Sequence, residues 1–239
     1  MSLFLLYYFL VLHVASGKQD IEANKEMKID SLFRIASQTK ALTSVGVMIL
    51  KERGLVNFTD PVSKYIPSFK NTTVLVVNAD KSLSTVPAVR EITIHDLLTH
   101  SSGISYGMRK NEDKWKDIGL HGWYFANKDQ SMKETLVPIT TLPQYAQPGS
   151  EFKYGHSTDL LGVIIETISG QSLKDFFKTE ISGPLGMIDT HFYIPQHKLN
   201  RLTAVYNATD IDIKRANDTN PASKFSIKPF ILRCLECSI

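Results

Sequence analysis

Phe33-Arg34-Ile35-Ala36-Ser37-Gln38-Thr39-Lys40, with the apolar run that follows it to Gly54, decides how this chain folds. From Gln38 to Arg53 the residues are apolar on most faces through Leu50, which predicts a buried helix. Lys51 and Arg53 suit its last turn, and Gly54 sits where a glycine ends a helix. Ser37 and Lys40 are three apart, so one helix face brings the lysine ammonium within reach of the serine hydroxyl. A helix start also offers unpaired N–H groups and positive potential where an oxyanion would form. Hydroxyl, amine base and backbone donor together make an activated serine nucleophile. Burying such a lysine uncompensated costs several kcal/mol, so its place on a central helix implies a task.

The same spacing recurs at Ser150-Glu151-Phe152-Lys153, directly after Gln147-Pro148-Gly149. That copy spans a turn and an extended segment, where the two side chains need not meet. The first copy is the candidate.

At 239 residues and 43% hydrophobic, the chain can build one sizeable core and a second lobe. Its net charge of +3 includes no basic block, which gives nucleic-acid binding no support. Cys234 and Cys237 are the two cysteines, so no disulfide framework holds the body. Their Cys-x-x-Cys spacing lacks a second ligand pair or a strand-helix context and reads as incidental to the tail. Leu3 to Val14 is apolar, short for a bilayer span and right for the core of a signal peptide. Val14-Ala15-Ser16-Gly17 offers small residues for cleavage, although no charged segment precedes the run. Residues 1–17 therefore read as a signal peptide and the chain as secreted or periplasmic, or cytoplasmic if the run is not a signal. Asn57, Asn71, Asn207 and Asn217 stand in Asn-x-Ser/Thr triplets, which matter only in a eukaryotic secretory pathway.

Between these ends, Lys18–Lys28 is polar and reads as a loop, and Leu32–Ile35 as an extended lead into the helix. Asp60-Pro61 offers an N-cap and an N1 proline for a short helix stopped before Pro67. Val74–Val77 is the best strand, followed by a weaker one near Val86. Thr93-Ile94-His95-Asp96 is a capping box, with Ile92 and Leu97 placed to staple it. Residues 104–142 show weak periodicity and predict short helices and loops, a cover over a site. Thr158–Ile168 is an apolar helix ended by Gly170, and Ser172-Leu173-Lys174-Asp175 is a second capping box for a helix to about Glu180. Pro184-Leu185-Gly186-Met187 is a turn.

These residues resemble the serine β-lactamase-related family, which includes class C β-lactamases, D-Ala-D-Ala carboxypeptidases and homologous esterases. Four blocks carry the resemblance in the family's order: Phe33–Lys40 with its helix, Ile92–Gly103, Pro148–Gly170 and Pro184–Thr190. The resemblance implies a helix-rich α/β fold of the β-lactamase/transpeptidase type. It places an all-helical lobe around residues 60–150 beside an antiparallel sheet built from both chain ends. It also makes Ser37 the acylated nucleophile, Lys40 the amine that helps take its proton, and Tyr154, from Tyr154-Gly155-His156, the proton shuttle. Tyrosine hydroxyls titrate near pH ~10, so one acting as a base needs cationic charge beside it, which Lys40 would supply. His156 stands where the family often has Asn and becomes the substrate-binding residue.

The family's last motif, Lys-Thr-Gly or His-x-Gly on a strand lining the site, cannot be read here, because no glycine follows Gly186. Only a short segment precedes Ser37, so the sheet is expected to be incomplete and the chain truncated at both ends relative to the family. Residues 20–206 form the partial β-lactamase-related domain and 207–239 a divergent polar tail. Three readings stay open. The chain is a serine hydrolase acting through an acyl-enzyme on a β-lactam, a peptidoglycan peptide or a small ester; or an inactive homologue that binds; or a secreted protein keeping the helices for structure. Neither a metal nor an organic cofactor is implied, nor a stable membrane span, and the oligomeric state is open.

Overall fold

The computed structural model describes residues 12–107, 112–120, 122 and 130–216. Most of the expected signal peptide, Asn217, Cys234, Cys237 and most of the polar tail lie outside these residues. The polar stretch after the leader is a small hairpin, Lys18–Asp20 (β1) with Lys25–Glu26 (β2). The central helix is Thr39–Glu52 (α1), led by a 3₁₀ turn at Ala36–Gln38 and closed by Gly54 at φ 71°.

α1 is buried on one face rather than all round, which corrects the expectation. Thr39, Thr43, Gly46, Val47 and Leu50 point inward, whereas Val45 and Met48 are 45% and 42% exposed. Its periodicity is apolar on both faces, but its packing partners lie on one side. A Cβ on Gly46 would sit 3.0 Å from Ile165 Cδ1 and 3.2 Å from Phe176 Cε1, so the glycine lets α1 approach its neighbours closely.

The segment after α1 runs through one-turn 3₁₀ helices at Val62–Lys64 and Pro67–Phe69. Contrary to expectation, Asp60 does not cap the first, because Pro61 takes that place. The Asp60 carboxylate instead accepts from Asn57 N at 2.8 Å and from the Tyr65 hydroxyl at 2.6 Å. Thr73–Val77 (β3) and Leu83–Pro87 (β4) form an antiparallel hairpin, with Val74 opposite Val86. This hairpin sits inside the lobe read as helical. Ile94–Leu98 (α2) carries the expected capping box of Thr93 and Asp96, with Ile92 and Leu97 both buried.

Glu112–Asp117 (α3) and Met132–Leu136 (α4) are short, as the weak periodicity of residues 104–142 predicts. Ser157–Ser169 (α5) is the spine of the core. Leu160, Leu161, Val163, Ile164 and Ile165 are all at or below 1% exposure, and burying each such side chain contributes roughly 1.5–3 kcal/mol. α1, α2, α4 and Leu173–Phe177 (α6) all pack against α5. α6 continues as a π-helical segment, Lys178–Ser182, and Gly170 ends α5 at φ 68°.

Tyr206–Ala208 (β5) and Ile213–Arg215 (β6) make the third two-stranded ladder. The first described segment meets residues 200–203, just ahead of this ladder. Gln19 Nε2 donates to the carbonyls of Asn200 (2.9 Å) and Leu202 (3.1 Å), Leu32 N donates to Arg201 O at 2.7 Å, and Thr203 N donates to Leu32 O at 2.9 Å. The described sheet therefore consists of two-stranded antiparallel pieces, with a parallel bridge from Leu32 to Leu202 tying the segment before α1 to the one before β5.

Candidate active site

Ser37 sits in the 3₁₀ turn that feeds α1, and three local features place it. Arg34 Nη1 donates to Thr203 O at 3.0 Å and fastens the lead-in segment to the C-terminal strand region. Gln38 N donates to Ile35 O at 2.9 Å and closes the turn. Ala36, between them, has φ 42°, a left-handed conformation that costs an alanine roughly 1–3 kcal/mol. The strain turns the chain sharply enough to present Ser37 at the surface, at the positive end of a fourteen-residue helix.

Lys40 Nζ donates to Ser37 Oγ at 3.2 Å, as the i, i+3 spacing predicts. The Tyr154 hydroxyl donates to the same oxygen at 3.0 Å, and Lys40 Nζ lies 5.0 Å from the centroid of the Tyr154 ring. So one serine oxygen receives a lysine and a tyrosine from segments far apart in the chain. Such a pair can take the serine proton as the oxygen attacks, then return it to a leaving group. Ser37 is exposed and Tyr154 is 43% exposed, so a substrate reaches the oxygen from solvent.

The second Ser-x-x-Lys does not assemble. Ser150 Oγ donates to Gln147 O at 2.8 Å and Lys153 Nζ pairs with Glu151 at 2.8 Å.

His156 is placed elsewhere than the resemblance implies. It is fully buried, with Nδ1 3.1 Å from Asp159 Oδ2, its ring 4.7 Å edge-on from Tyr106 and 6.2 Å stacked on Trp115. No surface of it remains for a substrate. The reason lies in the start of α5, which turns residue 156 inward among aromatic rings while Tyr154, two residues earlier, faces out.

The segment 100–106 braces the Tyr154 segment, a role that the sequence reading missed. His100 O accepts from Lys153 N at 2.7 Å, and Gly103 O accepts from Tyr145 N at 2.9 Å. Ser102 Oγ and Ser157 Oγ share a buried hydrogen bond of 2.8 Å. The rings of His100 and Tyr106 lie 4.8 Å and 5.6 Å from that of Tyr154. The block Ile92–Gly103 was visible in the sequence, but nothing in it signalled that its histidine meets the tyrosine.

A separate cavity of about 600 Å³ lies along another face of α1, lined by Ile35, Thr39, Leu42, Phe177, Met187 and Phe192 among others. Ser37, Lys40 and Tyr154 are not part of its wall, and the exposed Ser37 oxygen lies outside this cavity. Among the described residues, no group of three or more His, Cys, Asp or Glu is placed to hold a metal ion. Among them, too, no helix is long and apolar enough to cross a membrane.

Comparison with known proteins bears on the family and the fold. The family model described as Beta-lactamase matches residues 6–226. Protein Rv1367c of Mycobacterium tuberculosis is 34% identical over 205 residues, which cover 86% of this chain and 50% of that protein. Esterase EstB of Burkholderia gladioli is 33% identical over 179 residues, 74% of this chain and 43% of that one. The chain thus spans about half the length of the curated relatives it matches. The solved structure of EstCE1, a hydrolase with promiscuous acyltransferase activity, superposes with a TM-score of 0.76 at 24% identity, covering 93% of this chain and 58% of that one. That likeness shows the fold.

Proposed function

The chain belongs to the Beta-lactamase family, and from that premise we propose that it is a serine hydrolase that forms an acyl-enzyme at Ser37. One observation carries the reading: Ser37 Oγ is held at 3.2 Å from Lys40 Nζ and 3.0 Å from the Tyr154 oxygen at the same time. In the proposed reaction Ser37 Oγ bonds to the carbonyl carbon of an ester or amide. Its proton passes to the Tyr154–Lys40 pair. The bond to the leaving alcohol or amine breaks, and that leaving group takes the proton. Water, deprotonated by the same pair, then attacks the acyl carbon; the bond to Ser37 Oγ breaks, the pair returns the proton to that oxygen, and the acid is freed. General base assistance of this type is worth about 10²–10⁴ in rate.

Within that class we propose a small ester as the substrate. The oxygen lies at an open surface, which a compact ester reaches without a long groove to grip it, and EstB is an esterase by name. A β-lactam or a peptidoglycan peptide is the alternative within the same chemistry. Export from the cytoplasm, through the apolar run Leu3–Val14, is part of the proposal. The non-catalytic reading has its own support: exposure of Ser37 and Tyr154 lets water screen the charges that activate the serine.

Purified chain and its Ser37→Ala variant, incubated with p-nitrophenyl acetate and with a fluorescent penicillin, separate these readings. Ester turnover lost in Ser37→Ala supports the esterase. Covalent penicillin labelling without ester turnover moves the substrate to the β-lactam class. Identical behaviour of the two proteins in both assays overturns the hydrolase and leaves a binding role.

A further inference from the structure

We propose that His100 is a positioning residue for Tyr154: its ring, wedged against the tyrosine 4.8 Å away, fixes the Tyr154 oxygen on Ser37 Oγ. The proposal rests on the reading that Ser37 is the nucleophile.

Three observations carry it. First, His100 adopts φ 54°, an uncommon backbone conformation for any residue but glycine. Together with Ala36 it brackets the site with strained backbone, one residue ahead of the nucleophile and one in ring contact with its partner. Secondly, His100 Nδ1 is buried and has no hydrogen-bond partner among the described residues, which is unfavourable for a polar atom withdrawn from water. Nε2 lies 3.4 Å from Thr158 Oγ1, which is the direction in which a neutral ring would place its single proton. Thirdly, the same residue grips the tyrosine's segment by backbone, because its carbonyl accepts from Lys153 N at 2.7 Å. A site needing only a turn would be filled better by asparagine or glycine, and one needing only apolar filler would not bury an unpaired nitrogen. What the histidine adds is a flat neutral ring against Tyr154.

Neutrality matters because Lys40 stands over the same tyrosine ring at 5.0 Å. Burial, and after it the Lys40 ammonium, hold the imidazole pKa below the ordinary histidine value, while the Asp159 carboxylate and the Lys153 backbone pull in the opposite direction. His100 thus presents its ring without adding a second cation to the site. Tyr106, edge-on at 5.6 Å, and Phe152, stacked at 6.4 Å, complete the ring's surroundings. The Tyr154 oxygen is fixed by ring contacts on its body as well as by its own hydrogen bond, and His100 makes the shortest of these ring contacts.

The test compares wild type, His100→Asn and His100→Phe. Asparagine tolerates the left-handed backbone and removes the ring, while phenylalanine keeps the ring and removes both nitrogens. With p-nitrophenyl acetate, His100→Asn should lower kcat by about 10- to 100-fold, the effect of misplacing a reacting group, with KM little changed. His100→Phe should recover most of that loss. In parallel, NMR of ring-labelled tyrosine should show the contacts between the Tyr154 and Tyr106 rings lost in His100→Asn and kept in His100→Phe. Unchanged contacts in a folded His100→Asn overturn the proposal whatever the turnover, and so does a wild-type kcat in that variant. If wild type turns over no faster than Ser37→Ala, the hydrolase reading fails, while the Tyr154–Tyr106 contacts still decide whether His100 positions the ring. Should His100→Asn fail to melt cooperatively, His100→Gln, which keeps the bulk without the ring, carries the same comparison.

Discussion

The Tyr154 hydroxyl lies 3.0 Å from Ser37 Oγ across 117 residues of chain, and Lys40 Nζ shares that oxygen at 3.2 Å. In the proposed reaction both groups act on one proton, so their losses should not multiply. Tyr154→Phe and Lys40→Met should each lower kcat on p-nitrophenyl acetate by about 10²–10⁴, and the double variant should be little worse than the poorer single one. A double variant whose loss equals the product of the two singles would show that lysine and tyrosine work in separate steps.

Gly155 fixes where the tyrosine can stand. A Cβ there would lie 2.5 Å from Ser105 Cα and 2.6 Å from Ile104 O, both backbone atoms that cannot rotate away. Gly155→Ala should therefore destabilise the fold by about 1–3 kcal/mol, the range for overpacking, and should also displace Tyr154 and reduce turnover. Urea unfolding and kcat measured on the same sample check both. A stable Gly155→Ala protein with unchanged kcat would mean that the 100–106 brace is loose.

Local elements were legible from sequence because short-range chemistry sets them. Gly54 and Gly170 end their helices, Thr93 and Asp96 cap α2, and Ser37 with Lys40 needs only helical spacing to meet. The resemblance added Tyr154, which no periodicity links to Ser37. Three features stayed hidden because each depends on contacts between distant segments. The one-sided burial of α1 follows from what packs on it, not from its own pattern. His156 reads as a polar loop residue until α5 turns it toward Trp115 and Asp159. His100 lies in a quoted block, yet its meeting with Tyr154 depends on how the 100–106 and 145–155 segments lie against each other.

The outer face of α1 gives a prediction opposite to core behaviour. Val45 and Met48 are four and seven residues beyond Ala41, which is also exposed, so the three form an apolar stripe on the surface. Exposed apolar surface of this kind favours self-association. Val45→Lys with Met48→Lys should reduce light scattering at high protein concentration while shifting unfolding free energy by no more than about 0.5 kcal/mol for each substitution, as surface changes do. A loss of about 2–5 kcal/mol, the signature of a core truncation, would mean that this face is covered in solution.

The Asp96 carboxylate gives the fold an acid limit. Burial pushes its pKa up, but hydrogen bonds from Arg90 and from Thr93 outweigh burial and hold it below the usual carboxylate range. Arg90 grips it in a fork, Nη1 to Oδ2 at 2.6 Å and Nη2 to Oδ1 at 2.9 Å, while Thr93 N donates at 2.9 Å. A carboxyl whose pKa is depressed by folding stabilises the native state above its unfolded value of about 3.9, and that contribution is lost as pH falls through the folded value. Arg90→Ala raises the folded pKa toward the unfolded value, so the variant should lose less stability in acid and complete that loss at a higher pH than wild type. Near neutrality the substitution should cost about 1–2 kcal/mol, the lower part of the range for a charged hydrogen bond, because Arg90 itself is 43% exposed and screened by solvent. Urea unfolding of wild type and Arg90→Ala across the acid range checks the sign: the two stabilities should converge as pH drops below about 4. A gap between them that stays constant with pH would place the effect of Arg90 in packing rather than in the charge of Asp96.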